Sequence, residues 1–408
     1  MGKGVLLGYP TFGHLPPTMR VVSELIVQGE EIVAYSTEGN RQLVEDAGAI
    51  FRLYSQPYEA FDPTPPSEGL FADMARLIEI TGEMLPGLFS ELEVISPDYL
   101  LLDTKSLWGL LLQQVSSIPA VTLSVVFAID SHFVTVQDLV SGLYAGVSEE
   151  GLRSNLQNLT EYFRISQRVD HKYKTQSPNI VDFLGNPQDL HIVYTSREFQ
   201  LMGDRFPDRF KFVGPVLDPL SKQVDFPFER SELHPLIYIS MGTVFNEDMG
   251  FYRACIEAFG DKPFQVIMAI GNSVDREALE PLPGNFVVRN FIPQLSILER
   301  CDLFVTHGGM NSVNEALIHH VPLVIIPQRG DQFLVAARVE ELGAGILIPS
   351  DQVCVESLRA GVDRVLSNGE FRQCAARVGK TLEAAGGLGS AVQEILAFSN
   401  EATSRIVG

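Results

Sequence analysis

The chain is poor in cysteine, in basic residues and in long apolar runs, and each shortage excludes a class of protein. Its four cysteines, Cys255, Cys301, Cys354 and Cys374, occur singly, without the spacing of a zinc site. A small secreted domain stabilised by disulfides is therefore excluded. We expect a reducing, cytoplasmic location in which these thiols are buried.

Lysine and arginine total 30 against 51 aspartates and glutamates, so the formal net charge is −21. Such a surface repels nucleic acid and anionic lipid, and no basic stripe offsets it. The longest apolar run, residues 118–129, is shorter than the roughly 20 residues of a membrane span. We expect a soluble protein without a signal peptide, a nucleic-acid partner or stable membrane insertion. The sequence does not determine the oligomeric state.

Metal-binding motifs are also missing, since the sequence contains neither HExxH nor Asp-x-Asp. The adjacent His319 and His320 follow a predicted helix, where a cation suits the helix dipole. We therefore expect no metal ion and no tightly bound cofactor. Any anionic ligand would then be held by local dipoles.

Short apolar runs alternate with amphipathic helical segments along the whole chain. This alternation is typical of a doubly wound parallel α/β sheet, and it occurs twice. The sequence predicts strands at residues 5–7, 32–35, 99–102, 120–123, 190–194 and 210–213 in the first half, and at 236–240, 265–269, 286–288, 303–306, 323–326 and 345–348 in the second.

Two domains are expected from a chain of 408 residues. We predict an N-terminal domain over residues 1–214, a proline-rich linker over 215–235 and a C-terminal domain over 236–387. A final helix, about residues 388–408, is a candidate to pack back on the first domain. Inserts at residues 55–69 and 130–178 interrupt the alternation, and inserts of this kind usually shape a ligand pocket.

Residues 303–332 are the most informative stretch, because they predict strand, glycine turn, helix, strand and a second turn. The start of a helix after a glycine turn is suited to bind phosphate. In a parallel sheet the turns that follow the strands meet at one edge. The candidates for a nucleoside diphosphate sugar are Thr243, His307, Asn311 and Ser312 for the diphosphate, Phe291 for a base, Glu315 for ribose, and Asp331 and Gln332 for a sugar.

The first half supplies a candidate base. His14 follows the first predicted strand, and Asp103 ends another. A histidine with one nitrogen fixed by a carboxylate can take a proton from an alcohol with the other. The alternative is that each residue only caps its own turn or helix.

Three motifs in matching order, FIPQ, HGGMNSVNE and PQRGDQ, make the sequence resemble the inverting, nucleotide-sugar-dependent glycosyltransferases of the UDP-glycosyltransferase superfamily, in their macrolide glycosyltransferase-like branch. The resemblance implies a GT-B architecture of two Rossmann-like domains facing a cleft. It also implies roles for individual residues: Phe291 stacks on uracil, Gln294 and Glu315 bind ribose, His307, Asn311, Ser312 and Thr243 bind the diphosphate, Asp331 and Gln332 bind the sugar, Ile292 and Gly309 complete the donor site, and His14 with Asp103 form the base.

Two positions depart from the family pattern. Phe291 replaces a commoner tryptophan, which weakens the choice of base between uracil and thymine. Pro16 replaces an asparagine in the turn that usually reads GHxNP. The implied co-substrate is a UDP-sugar or a dTDP-sugar, and the implied partner is a small apolar acceptor, such as a macrolide, a polyketide or a phenolic natural product.

We expect a natural-product glycosyltransferase, a hexosyltransferase with His14 as general base. A nucleotide-sugar 2-epimerase of the same architecture and a non-enzymatic nucleotide-sugar-binding subunit are the alternatives. Five aromatic residues could line an acceptor pocket or belong to the core, and the sequence leaves this open: Phe71, Trp108, Phe127, Phe133 and Phe163.

Overall fold

The computed structural model describes residues 2–11, 13–54, 70–130, 149–217, 226–242 and 246–407. Several predicted features lie outside these residues: the insert 55–69, residues 131–148 of the second insert with Phe133, residues 218–225 of the linker, and Thr243.

The chain divides into two compact units, and neither is one continuous stretch. Unit 1 comprises Met1–Tyr194, Met202–Val216 and Gly386–Gly408, and unit 2 comprises Thr195–Leu201 and Leu217–Ala385. The short segment of unit 2 is bound by its own unit, since Thr195 Oγ1 donates to Asn314 Oδ1 at 3.1 Å. The last helix of the chain is grouped with unit 1.

Unit 1 is built on a seven-stranded parallel sheet with helices between the strands. Its elements are β1 (Lys3–Leu7), α1 (Leu15–Val27), β2 (Glu31–Ser36), α2 (Arg41–Asp46), β3 (Ile50–Leu53), α3 (Leu70–Ile95), β4 (Tyr99–Asp103), α4 (Leu107–Ser116), β5 (Ala120–Ser124), α5 (Glu149–Tyr173), α6 (Ile180–Gly185), β6 (Leu190–Val193) and β7 (Phe210–Phe212).

The strand order of this sheet is β3-β2-β1-β4-β5-β6-β7. The order reverses between β1 and β4, which are neighbours with Leu7 opposite Leu102. A reversal of this kind opens a crevice at the carboxyl ends of the two strands, which is where α/β sheets bind ligands. The residues that follow β1 and β4 are therefore placed at this crevice.

The strands of unit 1 are apolar because both faces of the sheet are covered. Val5 and Leu7 pack into the core on one face, and Leu6 packs into the core on the other. In β4, Leu100 and Leu101 divide between the two faces in the same way. Since successive side chains of a strand point to opposite faces, double coverage requires continuous apolar runs.

Unit 2 is built on a six-stranded parallel sheet in the order β10-β9-β8-β11-β12-β13, which reverses between β8 and β11. Its elements are β8 (Leu236–Ser240), α7 (Met249–Phe259), β9 (Gln265–Ala269), β10 (Phe286–Arg289), α8 (Gln294–Leu298), β11 (Leu303–Thr306), α9 (Met310–Ile318), β12 (Leu323–Ile325), α10 (Gln332–Glu341), β13 (Gly345–Leu347), α11 (Val355–Ser367) and α12 (Glu370–Ala384), and the chain ends with α13 (Gly387–Val407) of unit 1.

The two parallel sheets confirm the predicted fold class, and two details differ from the sequence analysis. β3 was not predicted, because it is an edge strand in which only Phe51 is buried. The prediction of buried thiols is wrong for Cys354, which is exposed at the N-cap of α11, and for Cys374, which is only partly buried. Within the ranges given above, no helix has the length and hydropathy that a membrane span requires.

Candidate active site

His14 and Asp103 form a contact at the switch point of the first sheet. His14 is the N-cap of α1, and Asp103 is the last residue of β4. His14 Nδ1 lies 2.9 Å from Asp103 Oδ2 and 3.1 Å from Oδ1. An ionised carboxylate only accepts hydrogen bonds, so this geometry assigns the imidazole proton to Nδ1. Nε2 is then the nitrogen that can accept a proton.

Both members of this pair are buried, with His14 8% exposed and Asp103 1% exposed. The Asp103 carboxylate also accepts a hydrogen bond from the Lys105 amide at 2.8 Å, which fixes its orientation. A carboxylate held in this way orients the imidazole and stabilises its protonated form. The pair therefore has the geometry of a general base with a supporting carboxylate.

Asn186 supports the backbone on which Asp103 stands, and sequence analysis did not identify it. Its Nδ2 donates to the Asp103 carbonyl at 3.0 Å, and the residue is 1% exposed. Its carbonyl accepts from Thr122 Oγ1 at 2.6 Å, which ties it to β5. Because 83 residues separate Asn186 from Asp103, no local pattern in the sequence indicates this contact.

In unit 2, His307 lies at the end of β11, between two glycines. A Cβ atom at Gly242 would lie 2.6 Å from His307 Cε1, and one at Gly309 would lie 2.6 Å from Nε2. Only glycine leaves room for the ring at these positions. Burial lowers the pKa of His307 to about 4, with Asp331 and a hydrogen bond to the Ser240 backbone acting in the opposite direction. The imidazole is therefore neutral at pH 7.

The helix after this turn, α9, begins with residues that suit an anion. Gly309 is its N-cap, and Asn311 and Ser312 lie in its first turn. A glycine N-cap has no side chain to accept from the first amides, and the helix dipole is positive at this end. A phosphate at this point would meet backbone N–H groups and a neutral imidazole.

Gln294, Ser312 and Glu315 form one hydrogen-bonded group, although they come from two different motifs. Gln294 Nε2 donates to Glu315 Oε2 at 2.6 Å and lies 3.1 Å from Ser312 Oγ. Gln294 begins α8, and Glu315 lies in α9. The amide orients the carboxylate of Glu315, and each oxygen of a carboxylate can accept more than one hydrogen bond.

Phe291 and Ile292 follow β10 and have opposite surroundings. The Phe291 side chain is 75% exposed, whereas Ile292 is buried. An exposed aromatic ring can stack on a nucleobase. Ile292 belongs to the core by its side chain, so it can contribute only backbone groups to a ligand.

Asp331 and Gln332 lie at the start of α10, after β12. Gln332 is buried, and its Oε1 accepts from the backbone amides of Gln328 at 2.8 Å and Arg329 at 3.2 Å. The side chain therefore shapes the turn that precedes it. These two contacts use only the amide oxygen of Gln332, and the sequence did not indicate this structural role.

The aromatic residues left open by the sequence are distributed between core and surface. Phe71 and Trp108 belong to the core of unit 1, and Phe127 is also buried. Phe163 is 55% exposed on α5. Among the residues that the structure describes, no group of three or more His, Cys, Asp or Glu side chains is arranged to hold a metal ion.

Several known proteins resemble this chain over most of its length. A family model, erythromycin biosynthesis protein CIII-like, C-terminal domain, matches residues 254–394. The uncharacterized UDP-glucosyltransferase YojK of Bacillus subtilis is 31% identical over 400 residues, which cover 97% of each chain. The NDP-glycosyltransferase YjiC of the same organism is 33% identical over 395 residues, 96% of each chain.

Among solved structures, the calicheamicin glycosyltransferase CalG4 superimposes with a TM-score of 0.81 at 27% identity, covering 98% of each chain. Identity at this level over nearly the full length of several glycosyltransferases reflects common descent rather than shared topology alone. The chain accordingly belongs to the UDP-glycosyltransferase superfamily, in its macrolide glycosyltransferase-like branch, and has the GT-B fold of that family.

Proposed function

We propose that this protein is an inverting glycosyltransferase that moves a sugar from a UDP-sugar to a hydroxyl of a small, largely apolar acceptor. The observation that carries the proposal is the buried contact of 2.9 Å between His14 Nδ1 and Asp103 Oδ2. A protein that only binds a nucleotide sugar does not require a carboxylate-supported imidazole whose second nitrogen can act as a base. The names of YojK and YjiC support a nucleotide-sugar donor.

In the proposed reaction, His14 Nε2 accepts the proton of the acceptor hydroxyl as its oxygen attacks the anomeric carbon. The bond from that carbon to the diphosphate oxygen breaks on the opposite side, so the configuration inverts. The Asp103 carboxylate stabilises the imidazolium that forms. The products are the glycoside and the nucleoside diphosphate, and the proton on His14 is released to solvent afterwards.

The charge that develops on the departing diphosphate is balanced in unit 2. We assign this role to the start of α9, to the neutral imidazole of His307 and to the hydroxyl of Ser312. Thr243, whose position lies outside the described residues, belongs to the same proposed set. Because fixed dipoles supply this stabilisation, we propose that transfer proceeds without a metal ion.

The remaining donor contacts follow from the same geometry. Phe291 stacks on the base, and Glu315, oriented by Gln294, accepts hydrogen bonds from the ribose hydroxyls. Asp331 and the Nε2 group of Gln332 bind hydroxyls of the transferred sugar. Neither a 2-epimerase nor an accessory subunit is favoured, because neither requires the pair His14 and Asp103.

The proposal is tested by incubating the full chain with a panel of hydroxyl-bearing aglycones and several nucleotide sugars, and recording mass shifts. We expect the mass of one sugar to be added to an acceptor in the presence of a chelator. The anomeric configuration of the product, read by nuclear magnetic resonance, should be opposite to that of the donor. Release of a 2-epimerised sugar without acceptor would favour the epimerase instead.

His307→Ala should weaken binding of a UDP-sugar by about 10- to 100-fold, since one hydrogen bond to a charged group is lost. The pKa of about 4 means that the imidazole remains neutral between pH 5 and 8. Its contribution should therefore not change over this range. Isothermal titration calorimetry with a UDP-sugar, whose phosphates do not titrate here, measures both effects.

The matched control for this variant is His234→Ala, which removes an exposed histidine of the same unit. It should leave the affinity unchanged. Equal affinities of wild type and His307→Ala would contradict the assigned role. A wild-type affinity that rises steadily as the pH falls from 8 to 5 would contradict it too, because His307 would then be gaining a proton in this range.

Gln332→Glu should lower sugar transfer by about 10- to 100-fold and leave the affinity for free UDP unchanged. Glutamate keeps an oxygen for the amides of Gln328 and Arg329 but loses the Nε2 donor. Gln332→Ala loses both functions, so it should also lower the melting temperature. Steady-state kinetics and thermal unfolding of the two variants separate sugar binding from support of the turn; normal transfer by Gln332→Glu would leave only the structural role.

A further inference from the structure

A chain of buried hydrogen bonds lies beneath the turn that carries His14. Trp108 Nε1 donates to the Tyr54 hydroxyl at 3.1 Å, and that hydroxyl donates to the Gly8 carbonyl at 2.9 Å. Both aromatic side chains are buried. Gly8 directly follows β1, so the chain of bonds ends at the first residue of the turn.

The ring of Tyr9 connects this aromatic group to the imidazole. Its centroid lies 5.4 Å from that of His14, at an interplanar angle of 60°, and 6.4 Å from that of Trp108, at 17°. Tyr54 and Trp108 pack edge to face, with centroids 5.4 Å apart and an interplanar angle of 75°. The ring of Tyr9, stacked on Trp108, therefore contacts the imidazole that Asp103 holds at Nδ1.

The same group connects the two strands of the switch point. Trp108 lies in the first turn of α4, whose N-cap, Ser106, donates its amide to the Asp103 carbonyl at 2.8 Å. The chain of bonds thus runs from the turn after β4, through Trp108 and Tyr54, to the turn after β1. It spans the same two turns that the contact between His14 and Asp103 joins.

We propose that Trp108 and Tyr54 are positioning residues for His14, which act through the backbone of Gly8 and the ring of Tyr9. This inference rests on the proposed function, in which His14 is the base. Neither residue touches the reacting atoms. Their effect is to hold the turn so that the Nδ1 edge of His14 stays on Asp103 and one tautomer is maintained, with Nε2 unprotonated.

The two hydrogen bonds need both the Nε1–H group of Trp108 and the hydroxyl of Tyr54. Phenylalanine at position 54 would fill the same space but would leave the Trp108 N–H and the Gly8 carbonyl without this partner. A buried donor or acceptor without its partner carries a desolvation penalty, and a shift of the turn can relieve that penalty. The turn would then shift without loss of the core, which is the state that the test must detect.

The test compares Tyr54→Phe with Tyr162→Phe. Tyr162 is a matched control, since it is equally buried in the same core and its hydroxyl also donates to a backbone carbonyl, that of Pro178, at 2.5 Å. We expect Tyr54→Phe to lower kcat about tenfold with little change in the KM for the donor, and to move the acid limb of the pH–rate profile. Tyr162→Phe should lower the melting temperature by a similar amount with kcat and the profile unchanged.

A second measurement does not depend on activity. The ring nitrogens of His14, assigned by comparison with His14→Ala in nitrogen-15 spectra, should report a single tautomer in wild type and in Tyr162→Phe, and a mixture in Tyr54→Phe. An unchanged tautomer and unchanged kcat in Tyr54→Phe would overturn the inference. If His14→Ala itself transfers sugar normally, the proposed function fails; if only Tyr54→Phe behaves as wild type, this inference fails alone.

Discussion

His14→Ala should reduce the turnover of glycosyl transfer by about 10² to 10⁴, the range that a positioned general base contributes. This corresponds to about 3 to 5 kcal/mol of transition-state stabilisation. An alcohol is a weak nucleophile at neutral pH because it keeps its proton, and the contact with Asp103 leaves Nε2 of His14 ready to accept it. Stopped assays of glycoside formation at saturating donor measure the effect.

Binding of the donor should hardly change in this variant, because the proposed donor residues belong to unit 2 and His14 belongs to unit 1. His171→Ala, which removes an exposed histidine of unit 1, is the control and should behave as wild type. Near-normal transfer by His14→Ala would refute the mechanism.

Asp103→Asn should lower turnover on the order of 10²-fold or more, for a different reason. An asparagine amide can donate to Nδ1, which moves the imidazole proton to Nε2, the nitrogen that must accept one. It also lacks the charge that stabilises the imidazolium. The rate per folded molecule should fall, while calorimetric binding of UDP remains as in wild type.

Asp130→Asn provides the control, because Asp130 is another buried carboxylate of unit 1 and forms an ion pair with Arg209 instead. It should cost stability without a loss of turnover per folded molecule. Residues that act as a unit are not additive, so the double variant of His14→Ala with Asp103→Asn should be no slower than His14→Ala alone. Additive losses would mean that the two side chains act independently.

The fold could be predicted in outline because its strands are covered on both faces. β8, β9 and β11 have the bounds that their apolar runs predict, since a doubly buried strand must be apolar throughout. β3 was not predicted because its sequence is not an apolar run: it lies at the edge of its sheet, and only Phe51 is buried. The other edge strands, β7, β10 and β13, were predicted; β3 differs from them in that three of its four side chains are exposed.

Sequence reasoning could locate those site residues that end a strand or lie in the turn that follows one. His14, Asp103 and His307 were selected on that rule, and the structure places each at a switch point, although their roles remain predictions. Contacts that depend on distant segments were not accessible. The hydrogen bond from Trp108 to Tyr54 joins residues 54 positions apart. The hydrogen bond that Gln332 Oε1 accepts from the Gln328 amide depends on the geometry of the turn, which no sequence motif specifies.

The composition of the two units from separate segments limits how this enzyme can be recombined with its relatives. Three apolar residues of α13, Ala391, Val392 and Ile395, are buried in the core of unit 1. A chimaera made with one junction near residue 217 would exchange these residues together with unit 2, and would pair a foreign helix with the native first sheet. A chimaera that preserves both cores needs a second junction at Gly386, so that Gly386–Gly408 stays with unit 1. It must also exchange the segment Thr195–Leu201 together with the rest of unit 2.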